Sequence, residues 1–307
     1  MNVEGSPLVS IALCTFNGER FLPLQLESLL SQTFSNLEIV AVDDYSTDNT
    51  YDILKEFAKK DNRIKVYRND INLGFNKNFE KALSLANGAY IAICDQDDIW
   101  YPAKIETLIN SIGNNWLIFS NSFFMDEFEN KIPGSLLTGF YAEGLSYKKA
   151  LLQNVITGHS ILLARELLDH CLPLPRQGYY DWYIGFIALY HKKATYTEEP
   201  LADYRIHSES VIQREAGLVK SEQSRRLERH KIIVTQLTNF LNYKGIRERD
   251  SEFIREFLAV YKSNKSGFSF SFFKFVFKHY KDLFIYRKER SLLSRANFVY
   301  KFVRKGY

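Results

Sequence analysis

No apolar run in the 307 residues approaches the roughly 20 that a membrane-spanning helix needs, and the N-terminus has no basic stretch followed by an apolar one. Neither a spanning helix nor a cleavable leader is expected, and the chain is expected to stay cytoplasmic. Cysteine is scarce. Cys14, Cys94 and Cys171 form an odd, scattered set without metal-ligand or disulfide spacing, which points to a reducing compartment. Cys14 and Cys94 close predicted strands, where small apolar side chains pack, so a catalytic thiol is not expected. No nucleic-acid fold signature is present either. Hydrophobic residues make up 46% of the chain, enough for a sizeable core in one large domain or in a domain with an appendage.

What is present is a repeated unit. Val9 to Cys14 is an apolar run followed by Thr15-Phe16-Asn17-Gly18 and then a helical pattern through Phe21, Leu24, Leu26 and Leu29. Leu37 to Val42 ends in Asp43-Asp44. Ser46, Thr47 and Asp48 follow, suited to cap a helix through Ile53, Leu54 and Phe57. Arg63 to Tyr67 reads as a third strand; the turn Asn72-Leu73-Gly74 leads to a helix carrying Phe79, Ala82, Leu83 and Leu85. A fourth run, Tyr90 to Cys94, delivers Asp95-Gln96-Asp97-Asp98. Strands alternating with helices predict an α/β fold with a doubly wound, mostly parallel sheet. Ligands of such sheets bind beyond the carboxyl ends of the strands, where all four polar clusters fall.

Three carboxylates at one strand end repel one another unless a cation or donor offsets them, at roughly 4 kcal/mol per pair about 4 Å apart. Hard oxygen ligands suit Mg²⁺ or Mn²⁺, with substrate phosphates completing the shell. The competing reading is a solvated acidic turn before the helix that starts near Pro102. Later segments carry their own signals. Tyr147 to Leu152 reads as helical, Thr157-Gly158-His159 precedes an apolar run, and Asp181-Trp182 opens a helix through Ile184, Ile187 and Ala188. Alone, such an Asp reads as a cap and the later His207 as a surface residue.

In order, Leu13-Cys-Thr-Phe-Asn-Gly18, Val42-Asp-Asp-Tyr-Ser-Thr-Asp-Asn-Thr50, Asn72-Leu-Gly-Phe-Asn-Lys-Asn78 and Asp95-Gln-Asp-Asp-Ile-Trp100 resemble the family 2 inverting glycosyltransferases of the GT-A fold. Tyr180-Asp-Trp-Tyr183 and Tyr204-Arg-Ile-His-Ser208 are similar to segments of rhamnosyltransferase-like members, so the resemblance covers roughly residues 8 to 212. It implies a nucleotide-sugar-binding and catalytic domain over 1–212, with 213–307 as a helical extension.

The resemblance also implies roles. Thr15, Phe16, Asn17 and Glu19 would line the base and ribose pocket, and Asp43 or Asp44 would accept from the pyrimidine N3–H. Asn72, Lys77 and Asn78 would lie near the nucleotide and diphosphate, although a helix-surface Lys is the default for Lys77. Asp95 and Gln96 would face the ribose or donor sugar. Asp97, with His207 as a second contact, would hold the ion that offsets charge on the leaving diphosphate. Asp181 would be the general base, with Tyr180 standing where many members carry an acidic partner.

The implied function is transfer of a sugar, rhamnose or a similar deoxyhexose first and a UDP-hexose second, from a dTDP- or UDP-linked donor. The acceptor would be a glycan or lipid-linked glycan of cell-surface polysaccharide synthesis, its specificity set by loops around residues 123–147 and 157–178. A sugar-nucleotide pyrophosphorylase would show a Gly-rich, Arg-containing loop after the first strand, which Thr15 to Arg20 does not supply. A non-catalytic nucleotide-sugar-binding subunit is the other alternative, against which Asp97, Asp181 and His207 together weigh.

The tail has a different character. Residues 262–307 carry twelve Lys or Arg against Asp282 and Glu289, a net +10 that leaves −6 on the rest. Phe268, Phe270, Phe272, Phe273, Phe275, Phe277, Tyr280, Phe284 and Tyr286 are interleaved with that charge. This composition suits a helix lying on an anionic membrane, so peripheral contact with the inner face of the cell membrane is expected. Packing of the Phe cluster onto the body or a dimer partner competes with it. Single-stranded nucleic acid is disfavoured.

Overall fold

The computed structural model describes residues 5–138, 145–207, 221–264, 268–284 and 291–305. The strands β1 (Val9–Thr15) and β2 (Leu37–Asp43) bury every residue, as strands covered on both faces do. Each is followed by an amphipathic helix, α1 (Leu22–Leu30) and α2 (Thr50–Lys60); β3 (Ile64–Arg68) leads likewise to α3 (Phe75–Leu85). Then come β4 (Tyr90–Cys94), β5 (Ile99–Trp100), α4 (Lys104–Ile112), β6 (Leu117–Met125), β7 (Lys131–Ser135), β8 (Ile161–Ala164), the short α5 (Leu168–Cys171), α6 (Tyr180–Tyr190) and β9 (Ala194–Arg205).

The strands form one sheet in the order β3-β2-β1-β4-β8-β6-β9-β5, with β7 paired to β6. β1 pairs in parallel with both β2 and β4, so the strand order reverses beside it and opens a crevice at their carboxyl ends. β6 and β9 are also parallel, whereas β8 runs antiparallel between β4 and β6. The sheet is therefore mixed but mostly parallel, as expected. Leu22, Leu26 and Leu29 of α1 pack with Ile11, Leu13 and Ile39 in a core closed to water, each such side chain contributing about 1.5–3 kcal/mol. At the amino ends of the strands, buried Glu38 accepts from Ser10 Oγ (2.6 Å), the Asn87 amide (2.7 Å) and Lys65 Nζ (2.5 Å), joining β1, β2, β3 and the entry to β4.

The chain divides into two compact units. The first comprises Met1–Thr138, Ile156–Arg176 and His191–His207; the second comprises Gly139–Val155, Gln177–Tyr190 and Ser208–Tyr307. The second unit contains α6 and the helices α7 (Glu222–Leu241), α8 (Glu248–Lys262), α9 (Phe270–Lys278), α10 (Tyr280–Leu283) and α11 (Leu292–Lys305). α6 is apolar around nearly its whole circumference and is buried accordingly. Phe186 stacks on Phe240 of α7 at 4.0 Å between ring centroids, and Trp182 Nε1 donates to the Ala150 carbonyl (2.6 Å). The stretch read as helical around residue 150 is a single 3₁₀ turn, Lys149–Leu151.

Part of the Phe-rich tail packs into the second unit. Phe272, Phe275 and Val276 are buried, with Phe275 stacked on Phe257 of α8 at 5.5 Å, while Phe270 is 71% and Leu293 83% exposed. Tyr286 and Glu289 lie outside the described residues, as does Ser208. Among the described residues no helix is long and apolar enough to cross a membrane.

Candidate active site

β1 ends at Thr15, whose register partner is Asp43, and Cys94 pairs with Leu13, so the polar ends of β1, β2 and β4 reach one level of the crevice. Backbone and side chains then weave the three loops together. Asn17 sits at φ 47°, a left-handed conformation that Asn tolerates, with its amide donating to Ser46 Oγ (2.9 Å) and its Oδ1 accepting from the Thr47 amide (2.8 Å). The Gly18 amide donates to Thr50 Oγ1 (2.8 Å). Glu19 Oε2 accepts from the Asn49 amide (2.9 Å) and from Asn49 Nδ2 (2.6 Å). Gln96 reaches back across the crevice to Phe16, whose ring is partly exposed.

The adjacent carboxylates Asp43 and Asp44 are both buried and have different partners. Asp43 accepts from the Ser46 amide (3.1 Å), the Ser46 hydroxyl and Thr15 Oγ1 (3.3 Å), and pairs with Arg68 Nε at 3.3 Å. Asp44 accepts from Asn69 Nδ2 (2.7 Å) and from the amides of Leu73 (2.8 Å) and Gly74 (2.9 Å), fixing the turn before α3. Asn72 caps that turn, its Nδ2 donating to the Asp44 carbonyl (3.3 Å). Asn78 is buried below, bridging Asn69 and the Val42 carbonyl, and Lys77 pairs with Glu80 at 2.7 Å along α3.

On the β4 side, the structure brings Asp97 and His207, 110 residues apart, to 2.8 Å between Oδ2 and Nε2. The imidazole rests edge-on against Phe21 at 4.7 Å, and among the described residues its buried Nδ1 has no hydrogen-bond partner. Arg205, 1% exposed, arrives with β9: its amide donates to Asp98 Oδ1 (3.0 Å) and its Nε to the Asp97 carbonyl (2.7 Å). Asp98 is wholly buried, and its Oδ2 has no hydrogen-bond partner among the described residues. Burial, then the neighbouring Asp97 and Asp95 charges, push its carboxyl well above the ordinary carboxylate range.

Below this lies a set that joins two acids of the strand-end cluster to His159, which the sequence did not single out as a ligand. Asp95, Asp98 and His159 bring one ligand atom each within 4.8 Å of one another. His159 Nε2 is 2.9 Å from Ser122 Oγ, and the ring stacks on Tyr204 at 4.7 Å. Burial, with Lys104 nearby, holds the imidazole well below its usual pKa and therefore neutral. Lys104 is itself buried; its Nζ donates to the His159 carbonyl (2.7 Å) and lies 4.0 Å from the Trp100 ring centroid. Burial lowers its pKa to about 8, against the opposing pull of Asp98, Cys94 and Asp95. Carboxylate oxygens and imidazoles with an orphaned buried oxygen among them fit a hard divalent cation, which would reverse the cost of crowding three acids.

Asp181 belongs to the second unit, in the first turn of α6, where its Oδ1 accepts from the Trp182 amide (2.7 Å). Residues 139–144 of the expected acceptor loops lie outside the described residues.

Against known proteins, the family model for glycosyl transferase family 2 matches residues 10–172. An uncharacterized glycosyltransferase of Haemophilus influenzae is 30% identical over 288 residues, spanning 86% of this chain and 84% of the relative. A UDP-Glc:alpha-D-GlcNAc-diphosphoundecaprenol beta-1,3-glucosyltransferase of Escherichia coli is 33% identical over 178 residues, 57% of this chain and 68% of that protein. Residues 1–349 of Staphylococcus aureus TarS, solved with UDP-GlcNAc, superpose with a TM-score of 0.63 at 16% identity, over 91% of this chain and 82% of that one. The chain belongs to glycosyl transferase family 2, and its fold is that of these enzymes.

Proposed function

We propose that this glycosyltransferase moves a hexose from a UDP-linked donor, with inversion, onto a lipid-linked glycan in cell-surface polysaccharide synthesis. The observation that carries the reading is the pairing of Asp97 with His207 at the crevice mouth, above the orphaned Asp98 oxygen. The donor nucleotide lies along Thr15, Phe16 and Asn17, with the Asp43–Asp44 pair receiving the base N3–H and Asn72 near the diphosphate. Asn78 and Glu19 act by holding the loops that shape this pocket, which their bonds to Val42 and Asn49 support, and Lys77 lies toward the diphosphate on α3, where it pairs with Glu80.

Asp97 and His207 would hold Mg²⁺ or Mn²⁺, with Asp95 toward the ribose and sugar and Gln96 fixing the Phe16 loop beside them. The ion supplies charge compensation for the departing diphosphate. The Asp181 carboxylate takes the proton of the acceptor hydroxyl as its oxygen bonds to the anomeric carbon and the bond to the diphosphate oxygen breaks, with no covalent intermediate. A UDP-hexose donor and a diphosphoundecaprenol-linked acceptor are supported by the Escherichia coli relative. Rhamnose from dTDP-rhamnose is the second reading, supported by Tyr180 to Tyr183 and by Tyr204 to His207. The tail's charge and its exposed Phe270, Leu292 and Leu293 support peripheral contact with anionic membrane at the cytoplasmic face, where such an acceptor is presented.

The test is release of nucleoside diphosphate by the purified chain from a panel of nucleotide sugars, with Mn²⁺ or with EDTA. UDP release from a UDP-hexose that needs the cation is expected. No release from any donor, or equal release in EDTA, overturns the reading.

A further inference from the structure

We infer that a cavity within the second unit seats the isoprenoid diphosphate portion of the acceptor; this rests on the lipid-linked acceptor proposed above. The cavity has a volume of about 480 Å³, within the roughly 300–1,000 Å³ usual for small-molecule sites. Trp182, Ile233, Leu283 and Phe302 wall it, all of them buried. Side chains of this kind ordinarily close on one another, because a gap forfeits their dispersion contacts. A space of this size among them is suited to a branched hydrocarbon guest.

The rest of the lining argues for a charged head on that guest. Half-buried Lys149 and exposed Arg229 both border the cavity. Asp282, whose charge acts on Lys149, also pairs with Lys148 at 3.7 Å and with His279 at 3.3 Å. Burial lowers the Lys149 pKa, with Asp282 acting against it, and a diphosphate beside the ammonium would stabilise its charge. Cations bordering an apolar void match an amphiphile with an anionic head better than a neutral lipid. Trp182 directly follows Asp181 in the first turn of α6, so one helix end serves both the cavity and the proposed base.

The experiment is calorimetry on the full chain without sugar donor, using farnesyl diphosphate, farnesol and inorganic diphosphate as probes. Farnesyl diphosphate is expected to bind saturably and at least tenfold tighter than either of the others, and excess UDP with Mn²⁺ is expected not to displace it. Arg229→Glu, at an exposed position, should weaken binding tenfold or more, and Leu152→Trp, which fills the space from its margin, should do likewise. No saturable binding, affinity unchanged in both variants, or displacement by UDP overturns the inference. Displacement by phosphatidylglycerol vesicles at equal lipid concentration also overturns it, by assigning the cavity to bilayer lipid. UDP release by the wild-type protein is measured separately. Farnesyl diphosphate binding without UDP release retires the proposed function alone, and UDP release without farnesyl diphosphate binding retires the cavity assignment alone.

Discussion

Gln96 grips the backbone of Phe16 with both ends of its side-chain amide: Oε1 accepts from the Phe16 N–H at 2.8 Å, and Nε2 donates to the Phe16 carbonyl at 3.1 Å. The loops after β1 and β4 are thereby one piece. Position 18, two residues on, is glycine, and a methyl group there would collide with the Gln96 amide.

Gly18→Ala should therefore break both hydrogen bonds and leave the sheet intact, since the Gln96 side chain can swing away. About 1–3 kcal/mol is at stake, read as a fall in UDP affinity of roughly tenfold. In a Gln96→Ala background the same change should add little. Additive losses across that double-mutant cycle would show that Gly18 acts through something else.

Asp97→Ala should abolish the gain in UDP affinity that Mn²⁺ confers and lower turnover about 10²-fold or more, because charge compensation at the diphosphate is worth several kcal/mol. His207→Ala should move both quantities in the same direction. Calorimetry with and without EDTA is the check, and a variant that keeps the metal effect would exclude the pair as ligands.

Asp181→Asn keeps the side-chain size and the bond to the Trp182 amide but removes basicity. Turnover should fall about 10²-fold or more with the donor KM nearly unchanged. A donor affinity that collapses with the rate would make Asp181 a cap or donor contact.

Glu38 offers a pH test away from the crevice. Burial raises its pKa, but the hydrogen bonds from Lys65, Ser10 and Asn87 together outweigh burial and bring it from 4.5 down to about 2. The folded value lies below the unfolded one, so this stabilisation is complete above about pH 4.5 and is lost as the pH falls toward 2. Glu38→Gln should cost roughly 2 kcal/mol in urea denaturation at pH 7, with the gap from wild type narrowing as the pH falls below 4.5. A constant gap would assign the loss to packing.

Replacing Phe270 and Leu293 by Ser should weaken sedimentation with anionic liposomes while leaving helix content unchanged, because both side chains are exposed. Raising salt should weaken binding further without abolishing it in the wild type. Unchanged pelleting would remove these side chains from any membrane contact.

The first four strands were legible because each is an apolar run closed by a polar cluster, as in Leu37 to Asp44. The far half of the sheet was not. β9 contains Glu198-Glu199-Pro200, which interrupts any strand pattern, and it matches β6 only by shifting register around Asn121. β8 contributes four residues with no signal of the antiparallel neighbours it meets. In the site, Asp97 and His207 could be named from motifs, but Asp98 looks no different in sequence from the acids around it, and its burial depends on β9 arriving overhead. His159 and Lys104 went unassigned for a related reason: a lone His and a Lys at a helix start ordinarily face water, and only the packed structure shows them enclosed.

The chain passes between its two units five times, at residues 138/139, 155/156, 176/177, 190/191 and 207/208. Recombination at a single breakpoint therefore cannot exchange the second unit intact, since Gly139–Val155 and Gln177–Tyr190 would stay with the donor-side parent while 208–307 departed. A chimera joined at one C-terminal junction would set the old Trp182 and Phe186 against a foreign α7. Exchanging the second unit whole would take a breakpoint at each of the five crossings.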